Sequence, residues 1–410
     1  MRTLKRTLEK IVKNISPSFP ILLITGARQI GKTTLLEQCS EGRAYVSLDN
    51  LDDRILAKND PALFLQRYKP PLIIDEVQYA PELFSYIKII SDRERKNGLF
   101  WLTGSQKFHL MKNVTESLAG RVAIIDMLGL SQSEIEKRID SAEPFLPTNK
   151  WIEKARKNAR RQDLMIIYDR IWKGSFPALW AQEDDRSIEH DIFYNSYVQT
   201  YIQRDVRDLT KVGNELTFQI FLKAVAARTG QLLNYADMAR DVGVDQKTIK
   251  SWIYILETSG LIYLLYPYHN NITKRLIKTP KLYFLDTGLC AYLTNWTSSG
   301  TLEAGAMSGS ILENYIICEI LKSYWHHGKT ANFYYYRDMD QKEVDLIIEQ
   351  DNKLYPVEFK KTAIPTRTAS KNFSILNRLD KPIAEGAVVC LRESDTILSE
   401  NIYAIPVAYI

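Results

Sequence analysis

Cysteine is scarce in this sequence, with only 4 in 410 residues. Cys39, Cys290, Cys318 and Cys390 lie far apart, and none of them forms a Cys-x-x-Cys pair. This spacing argues against a zinc site and against the dense disulfide framework of small secreted proteins. A reducing compartment, the cytoplasm, is therefore expected.

An apolar run long enough for a membrane or a signal peptide is also missing near the N-terminus. The first apolar run covers residues 21–24, whereas a membrane span needs roughly 20 apolar residues. No low-complexity linker and no internal repeat stands out. We therefore expect a chain without a membrane span.

Charge of one sign is in small excess, since the net charge is only +5. Basic residues cluster in 1–13 and 150–161, which favours solvated helix faces over a strong polyanion-binding surface. With 45% apolar and 25% charged residues, the composition is that of an ordinary soluble globular protein. A length of 410 residues predicts two or three domains, each with its own core.

A glycine-bearing loop joins an apolar strand to a helix in the segment ILLITGARQIGKTTLLEQ, residues 21–38. The pattern Gly-x-x-x-x-Gly-Lys-Thr is that of a phosphate-binding loop, in which backbone N–H groups and a helix N-terminus bind phosphate oxygens. Lys32 would contact the β and γ phosphates, and the Thr33 hydroxyl would hold Mg²⁺. The predicted ATP-binding residues are Gly26, Ala27, Arg28, Gln29, Ile30, Gly31, Lys32, Thr33 and Thr34.

A second motif, PPLIIDEVQ at 70–78, is a continuous apolar strand that ends in two acids. Asp75 would complete the Mg²⁺ shell, and Glu76 would orient and polarise the attacking water. An acidic pair at a strand end can also cap a helix or lie in a solvated turn. The phosphate-binding loop upstream favours the catalytic interpretation.

Further strand-like segments, AYVSLDN, LFWLTGSQ and RVAIIDMLGL, alternate with helical ones and predict a doubly wound parallel sheet. We interpret the strand AYVSLDN, inserted between the two motifs, as typical of P-loop ATPases with their own catalytic glutamate. The segment resembles the AAA-type ATPases. That resemblance implies that Ser105 is the polar sensor residue and Arg121 an arginine finger acting in trans. Arg121 could instead pair with a local carboxylate such as Glu116 or Asp126.

Two segments of the middle region, WKGSFPALW (172–180) and YVQTYIQRDVRDLTKVGN (197–214), carry a second resemblance. They resemble a prokaryotic group that joins an AAA-type ATPase to a C-terminal region called domain-of-unknown-function family 4143. The resemblance covers essentially the whole chain, although Ser175 replaces the usual second glycine. The charged pair Arg204 and Asp205 has no defined role, and a salt bridge between helices is expected.

The segment LLNYADMARDVGVDQKTIKSWIYILETSGLIYLLYPY (232–268) predicts helix, turn at Gly243, helix and strand, the order of a winged helix. Asp245 is expected to cap the second helix. Lys247 and Lys250 would lie on its exposed face, with Lys274, Arg275 and Lys278 in the wing. DNA-backbone contact and service as a lid or protein-docking module both remain open.

From residue 309 the C-terminal region predicts a helix, on the segment SGSILENYIICEILKSYW, followed by strands at NFYYYRD, KEVDLIIEQ and KLYPVEFKKT. Alternation places Asp345 with Ile347 on one face, and Glu358 with Lys360 on one face of the next strand. This order resembles the PD-(D/E)xK nuclease superfamily, which implies a metal centre of Glu313, Asp345, Glu358 and Lys360. Glu343-Val344-Asp345 stands where the superfamily often has Pro-Asp, and a dimerisation or DNA-docking module without cleavage is the alternative.

The expected fold class is α/β. We predict an AAA-type ATPase domain (1–135), a helical lid or connector (136–215), a winged-helix domain (216–300) and a restriction-endonuclease-like domain (301–410). The expected cofactors are ATP and Mg²⁺, and DNA is a candidate partner. A homo-oligomer is expected, and the sequence identifies no protein partner. The function expected is ATP hydrolysis coupled to a DNA-related action; the alternative is a nucleotide-gated regulatory or signalling module with an inactive nuclease-like domain.

Overall fold

The computed structural model describes residues 4–40, 42–105, 110, 114, 116–181, 188–202, 215–270 and 278–410. The strands of the first sheet are Ile21–Thr25 (β1), Ala44–Ser47 (β2), Leu72–Asp75 (β3), Phe100–Gly104 (β4) and Val122–Asp126 (β5). All five are parallel, in the order β2-β3-β4-β1-β5. The predicted parallel sheet is confirmed.

Both faces of this sheet are covered, because alternate residues of β1 enter different apolar clusters. Leu22 and Ile24 belong to one cluster, and Ile21 and Leu23 belong to the other. This double burial explains why β1 reads as an uninterrupted apolar run. The helices around the sheet are Leu8–Ile15 (α1), Lys32–Cys39 (α2), Leu51–Asn59 (α3), Pro61–Arg67 (α4) and Leu83–Glu94 (α5).

One detail of the sheet differs from expectation. The strand that lies between β1 and β3 is β4, whereas β2, the segment AYVS, forms the edge beyond β3. Sequence order does not fix spatial order in a doubly wound sheet, because each crossover can skip a neighbouring position. The consequence is that the end of β4, with Ser105, lies between the phosphate-binding loop and Glu76.

The middle of the chain is mainly helical. Its helices are Gln132–Ile135 (α6), Asn149–Asn158 (α7), Leu164–Lys173 (α8), His190–Tyr197 (α9), Glu215–Ala226 (α10), Tyr235–Val242 (α11) and Gln246–Thr258 (α12). A two-stranded antiparallel ribbon of Ile262–Leu265 (β6) and Lys281–Phe284 (β7) follows. The helices Thr287–Leu293 (α13) and Ser299–Ala304 (α14) lead into the last region.

The turn between α11 and α12 forms as the sequence predicts. Gly243 has a left-handed φ of 77°, and the Asp245 carboxylate accepts a hydrogen bond of 2.9 Å from the Thr248 amide. Lys247 and Lys250 are exposed. The winged-helix assignment itself stays a prediction, and Lys274, Arg275, Arg204 and Asp205 lie outside the described residues.

A long helix and a six-stranded mixed sheet form the C-terminal region. The helix is Ser308–Trp325 (α15), and the strands are Phe333–Arg337 (β8), Glu343–Gln350 (β9), Lys353–Lys360 (β10), Gly386–Cys390 (β11), Thr396–Ser399 (β12) and Ile402–Pro406 (β13). The sheet order is β12-β13-β11-β10-β9-β8, so the helix and the first three strands lie where the sequence predicts them.

The strict alternation expected in β9 is interrupted at Asp345. Opposite β8 the register shifts, because Tyr334 pairs with Ile347 whereas Tyr336 pairs with Val344. One extra residue in β9 therefore brings Val344 and Ile347 into the same apolar cluster. Such bulges bend a strand and redirect a side chain, and here the affected side chain is Asp345.

The three regions share one continuous apolar cluster, which reaches from Leu8 in α1 to Tyr409 near the C-terminus. A buried charge cluster lies within it, where Arg6 Nε approaches Glu134 Oε2 at 3.1 Å and His326 Nδ1 approaches Glu134 Oε1 at 3.4 Å. The cluster therefore connects the N-terminal segment to the end of α15. In the part of the chain that the structure describes, no helix has the length and apolar character that crossing a membrane requires.

Candidate nucleotide-binding site and acidic centre

The phosphate-binding loop runs from the end of β1 to the start of α2 at Lys32, and two glycines shape it. Gly26 has a φ of 146°, and a Cβ added there would lie 2.3 Å from the Met127 carbonyl oxygen. Gly31 has a φ of 90° and occupies the N-cap position of α2. Both positions favour glycine, because other residues rarely adopt such φ values. The backbone of residues 26–34 is thereby placed around one cleft.

Lys32 is buried, and its ammonium group donates to the loop itself. Nζ lies 3.0 Å from the Gly26 carbonyl oxygen and 2.8 Å from the Ala27 carbonyl oxygen. A buried ammonium group needs acceptors of this kind. The two carbonyl oxygens are neutral acceptors. Charged phosphate oxygens form stronger hydrogen bonds with an ammonium group and can therefore replace them.

Asp75, at the end of β3, is the centre of a hydroxyl network. Its Oδ1 accepts from Thr33 Oγ1 at 2.8 Å and from the Thr103 hydroxyl, and its Oδ2 accepts from the Tyr45 hydroxyl at 3.2 Å. Burial, with the nearby Asp75 charge, raises the pKa of Tyr45 to about 12, so the phenol stays protonated. The paired oxygens of Thr33 and Asp75 fit the hard oxygen donors that Mg²⁺ requires.

Glu76 follows with a left-handed φ of 54°, which turns its side chain away from the path of the strand. Its Oε2 accepts a hydrogen bond of 3.0 Å from Ser105 Oγ and another from the Gln78 amide group. Ser105 is buried at the end of β4. The structure thus brings the predicted base and the predicted sensor residue together, and it adds Gln78, which the sequence analysis did not single out.

A cavity of about 520 Å³ opens beside these groups. Its lining combines the polar groups of the loop with an apolar wall. The polar side contains Gln29, Gly31, Lys32, Thr33, Thr34 and Glu76, and the apolar wall is formed by Leu4, Leu130, Pro177, Ala178 and Ala181. The Pro177 segment belongs to the motif WKGSFPALW, so the middle region closes the cleft over the AAA-type domain.

Arg6 contacts the backbone of the phosphate-binding loop. It is not among the site residues predicted from the sequence. Its guanidinium group donates to the Ile30 carbonyl at 2.9 Å and to the Leu128 carbonyl at 2.8 Å. Although burial raises it, the Arg6 charge lowers the pKa of Glu134 to about 2, so this partner stays ionised. Burial lowers the pKa of His326 to about 3, so its imidazole is neutral at pH 7. No sequence motif marks Arg6, because its partners are backbone carbonyls far along the chain.

Arg121 pairs with a carboxylate, although neither Glu116 nor Asp126 is its partner. Its Nε and Nη2 lie 2.6 Å and 3.0 Å from the two oxygens of Asp92, on the surface of α5. No pattern in the sequence points to Asp92, which lies 29 residues before Arg121. The role of Arg121 in trans stays a prediction.

The acidic residues of the C-terminal region converge, and they do so around the ammonium group of Lys281. Nζ of this β7 lysine lies 2.5 Å from Glu343 Oε1, 3.2 Å from Glu313 Oε1 and 3.8 Å from Asp345 Oδ1. The Lys281 side chain is only 5% exposed. Despite burial, which lowers it, these carboxylates raise the pKa of Lys281 above its ordinary value.

Glu358 and Lys360 interact mainly with each other. Lys360 Nζ donates to Glu358 Oε1 at 2.6 Å, and the Phe359 amide donates to Asp345 Oδ2 at 2.9 Å. Burial, followed by the Glu313 and Glu358 charges, raises the pKa of Asp345 well above its ordinary value. Burial also raises the pKa of Glu358.

The fit to a divalent metal at this acidic centre is poor. Within the described ranges, no group of three or more His, Cys, Asp or Glu residues has an arrangement that could hold a metal ion. Glu313, Asp345 and Glu358 belong to one electrostatic cluster, but a lysine lies among them. The ligand role of Glu313, Asp345, Glu358 and Lys360 therefore stays a prediction.

The first sheet, its phosphate-binding loop and the Asp75–Glu76 pair define an AAA-type P-loop ATPase domain. The family models agree. Residues 18–136 match the AAA domain, residues 165–300 match a domain of unknown function (DUF8612), and residues 308–410 match a domain of unknown function (DUF4143). The chain thus combines an AAA domain with a C-terminal DUF4143 region, as the resemblance in sequence predicts.

Similar proteins occur in bacteria and archaea. The uncharacterised protein Rv2008c of Mycobacterium tuberculosis is 27% identical, over 94% of this chain and 80% of that protein. The uncharacterised protein MJ1637 of Methanocaldococcus jannaschii is 25% identical, over 76% of this chain and 70% of that protein.

Two solved structures of archaeal ATPases are also similar. The Walker-type ATPase paby2304 of Pyrococcus abyssi has a TM-score of 0.39 and 13% identity, over 70% of this chain and 94% of that chain. PH0952 of Pyrococcus horikoshii, a signal transduction ATPase with a tetratricopeptide repeat sensor, has a TM-score of 0.26 and 11% identity, over 77% of this chain and 45% of that chain.

Proposed function

We propose that this protein hydrolyses ATP with Mg²⁺ and uses the reaction to change the contact between its AAA domain and the regions that follow. The observation that carries this proposal is the position of Glu76, held by Ser105 and Gln78 beside the loop lysine and Thr33. A carboxylate so oriented can position a water molecule for attack on a γ-phosphate.

We assign separate roles to the residues of the cleft. The loop amides and Lys32 bind the phosphates, with Lys32 exchanging the Gly26 and Ala27 carbonyls for phosphate oxygens. Thr33 and Asp75 would hold Mg²⁺, which when bound would neutralise the charge that develops on the phosphate oxygens. Glu76 orients water, and Ser105 keeps the Glu76 carboxylate in place.

Nucleotide binding in this cleft can act directly on the middle region, because Pro177, Ala178 and Ala181 form part of the cleft wall. Closing of the phosphate-binding loop around phosphate would change the contacts between the loop and this segment. The Gly174–Ser175 turn next to it is fastened to α13, since Asp286 Oδ2 accepts from the Ser175 amide at 2.6 Å. This connection supports coupling of hydrolysis to the DUF8612-matching region.

The ATPase proposal is tested by Lys32→Ala and Glu76→Gln, singly and together, with exposed Lys58→Ala as the matched control. We expect turnover to be lost in the single and double variants, because each lacks phosphate binding or water activation, while Lys58→Ala keeps the wild-type rate. Phosphate release under ATP saturation is the measurement. Hydrolysis retained by the folded double variant would refute the assignment.

We further propose that the action driven by ATP takes place on or near DNA, through the exposed α12 face that carries Lys247 and Lys250. Two lysines on one exposed helix face suit phosphate-backbone contact. Binding of duplex DNA, followed by anisotropy at increasing salt, should weaken in a Lys247→Glu/Lys250→Glu variant and stay unchanged in Lys58→Glu. Equal binding by both variants would contradict the proposal.

A second candidate function is a nucleotide-gated regulatory module whose nuclease-like region does not cut. The observation in its favour is Lys281, which lies among the carboxylates where a nuclease would need metal. Supercoiled plasmid incubated with Mg²⁺ or Mn²⁺, with and without ATP, separates the two candidates. Nicking that Asp345→Ala abolishes favours the first, and intact plasmid in all conditions favours the second.

A further inference from the structure

Lys281 occupies an unusual position for a lysine. It begins β7, the outgoing strand of the small ribbon, yet its side chain enters the C-terminal region rather than solvent. Three carboxylates on two elements of that region surround Nζ, namely Glu313 on α15 with Glu343 and Asp345 on β9. A lysine with 5% side-chain exposure is rare unless its charge is compensated.

The geometry is that of a cation site, and the cation is the Lys281 ammonium group, which belongs to the chain itself. An ammonium group has three N–H donors, and three carboxylates approach it between 2.5 and 3.8 Å. A divalent ion would use the same carboxylate oxygens at distances of about 2.0 to 2.6 Å. Two cations cannot share that space, because they would repel each other in a region with little water.

Glu358 supplies an independent observation. This residue is 4% exposed and interacts electrostatically with Glu313 and Lys281. Its Oε1 is bound by Lys360, but among the described residues no hydrogen-bond donor reaches its Oε2. A buried carboxylate oxygen without a partner is costly. The centre therefore contains a free oxygen ligand as well as a lysine in the middle of the other acids.

We propose that the Lys281 ammonium group is the resident cation of this acidic centre and that it excludes divalent metal while β7 is in place. The C-terminal region then acts as a docking or regulatory unit in this arrangement. The inference rests on the second candidate function above and is independent of ATP hydrolysis.

Removal of the lysine should convert the centre into a metal site. We compare Lys281→Gln with wild type and with Lys278→Gln, an exposed lysine three positions earlier on the same segment. Free Mn²⁺ is measured by electron paramagnetic resonance on the full chain without nucleotide. In wild type and in Lys278→Gln, adding Asp345→Asn should leave the amount of bound Mn²⁺ unchanged. Lys281→Gln should bind one more Mn²⁺ per chain than wild type.

Adding Asp345→Asn to Lys281→Gln should abolish the gained site. The proposal is overturned if wild type already binds Mn²⁺ through Asp345, or if folded Lys281→Gln gains no site. Either outcome leaves ATP hydrolysis untouched, so failure here is distinct from failure of the ATPase assignment.

A wild-type measurement covers the case in which Lys281→Gln does not fold. Amine labelling followed by mass spectrometry reports how accessible each lysine is, with and without millimolar Mn²⁺. We expect Lys281 to stay unlabelled in both conditions, whereas exposed Lys278 is labelled in both. Labelling of Lys281 that rises on addition of Mn²⁺ would show that metal displaces it and would overturn the proposal.

Discussion

At the scale of single residues, the orientation of Glu76 depends on two neutral donors. Ser105 and Gln78 both bond to the same carboxylate oxygen. Among the residues that the structure describes, no donor reaches the other oxygen, so a water molecule can bind there. The resemblance to AAA-type ATPases points to Ser105, whereas no motif points to Gln78, because its contact depends on the left-handed turn at Glu76.

Ser105→Ala should lower the rate of ATP hydrolysis at saturation by about tenfold or more, because a misoriented base loses proton-transfer efficiency. ATP affinity should change little, since Ser105 is bonded to Glu76 and is not among the residues that line the cavity. Steady-state kinetics together with fluorescent-nucleotide binding separate the two effects. Exposed Ser85→Ala is the control. A reduced affinity with an unchanged saturated rate would contradict the positioning role.

At the scale of elements, several local structures follow directly from sequence. The Asp245 cap is one of them, because an N-cap residue acts on backbone groups two or three positions away. The helix start at Lys32 and the strands β8, β9 and β10 are others.

Features that depend on distant segments could not be predicted. The position of β4 between β1 and β3 depends on crossovers, and the bulge at Asp345 depends on pairing with β8. Lys281 lies 32 residues before Glu313, in a segment that carries no motif of the acidic centre. Glu313, Asp345 and Glu358 could thus be found from the sequence, whereas Glu343 as a member of the cluster and Lys281 as the counter-ion could not.

Asp245→Ala should lower the free energy of unfolding by about 1 kcal/mol, because the first turn of α12 loses the acceptor for its Thr248 amide. Urea denaturation followed by circular dichroism provides the measurement. Asp340→Ala, which changes an aspartate in another Asp-x-Lys segment, should have no such effect. Equal effects of the two substitutions would argue against the cap as the cause.

At the scale of the whole molecule, buried charges connect distant parts of the chain. Arg6 contacts the phosphate-binding loop and Glu134, and Glu134 lies against His326 at the end of α15. The same helix carries Glu313 on its first turns. The nucleotide cleft and the acidic centre are therefore attached to opposite ends of one rigid element.

His326 should make the protein less stable as the pH falls from 6.5 toward about 3. Its folded-state pKa of about 3 lies below the ordinary 6.5, so in this window the unfolded chain binds more protons and gains stability. Thermal unfolding of His326→Gln should depend less on pH between 6.5 and 4.5 than that of wild type. Lys329→Gln, an exposed change near the same helix end, should keep the wild-type slope, and an equal loss of slope in both variants would contradict the assignment.

Arg121 should matter only if chains assemble. In an oligomer with the arginine acting in trans, Arg121→Ala would lower the ATPase rate by on the order of 10³-fold without weakening ATP binding. The rate per chain should also rise with protein concentration, and light scattering should detect the assembly. Arg93→Ala on the same surface is the control. A concentration-independent rate that Arg121→Ala does not change would exclude a finger role.

The ribbon strand β7 and helix α15 are joined by more than the Lys281 ion pairs. The Phe284 amide donates to Asn314 Oδ1 at 2.7 Å, and Asn314 Nδ2 donates to the Phe284 carbonyl at 2.7 Å. A gene fragment that starts after residue 300 would encode α15 without these partners and with its acids uncompensated. Recombination that moved this C-terminal region to another protein without the ribbon would leave Asn314 and the acids of the centre in need of new partners.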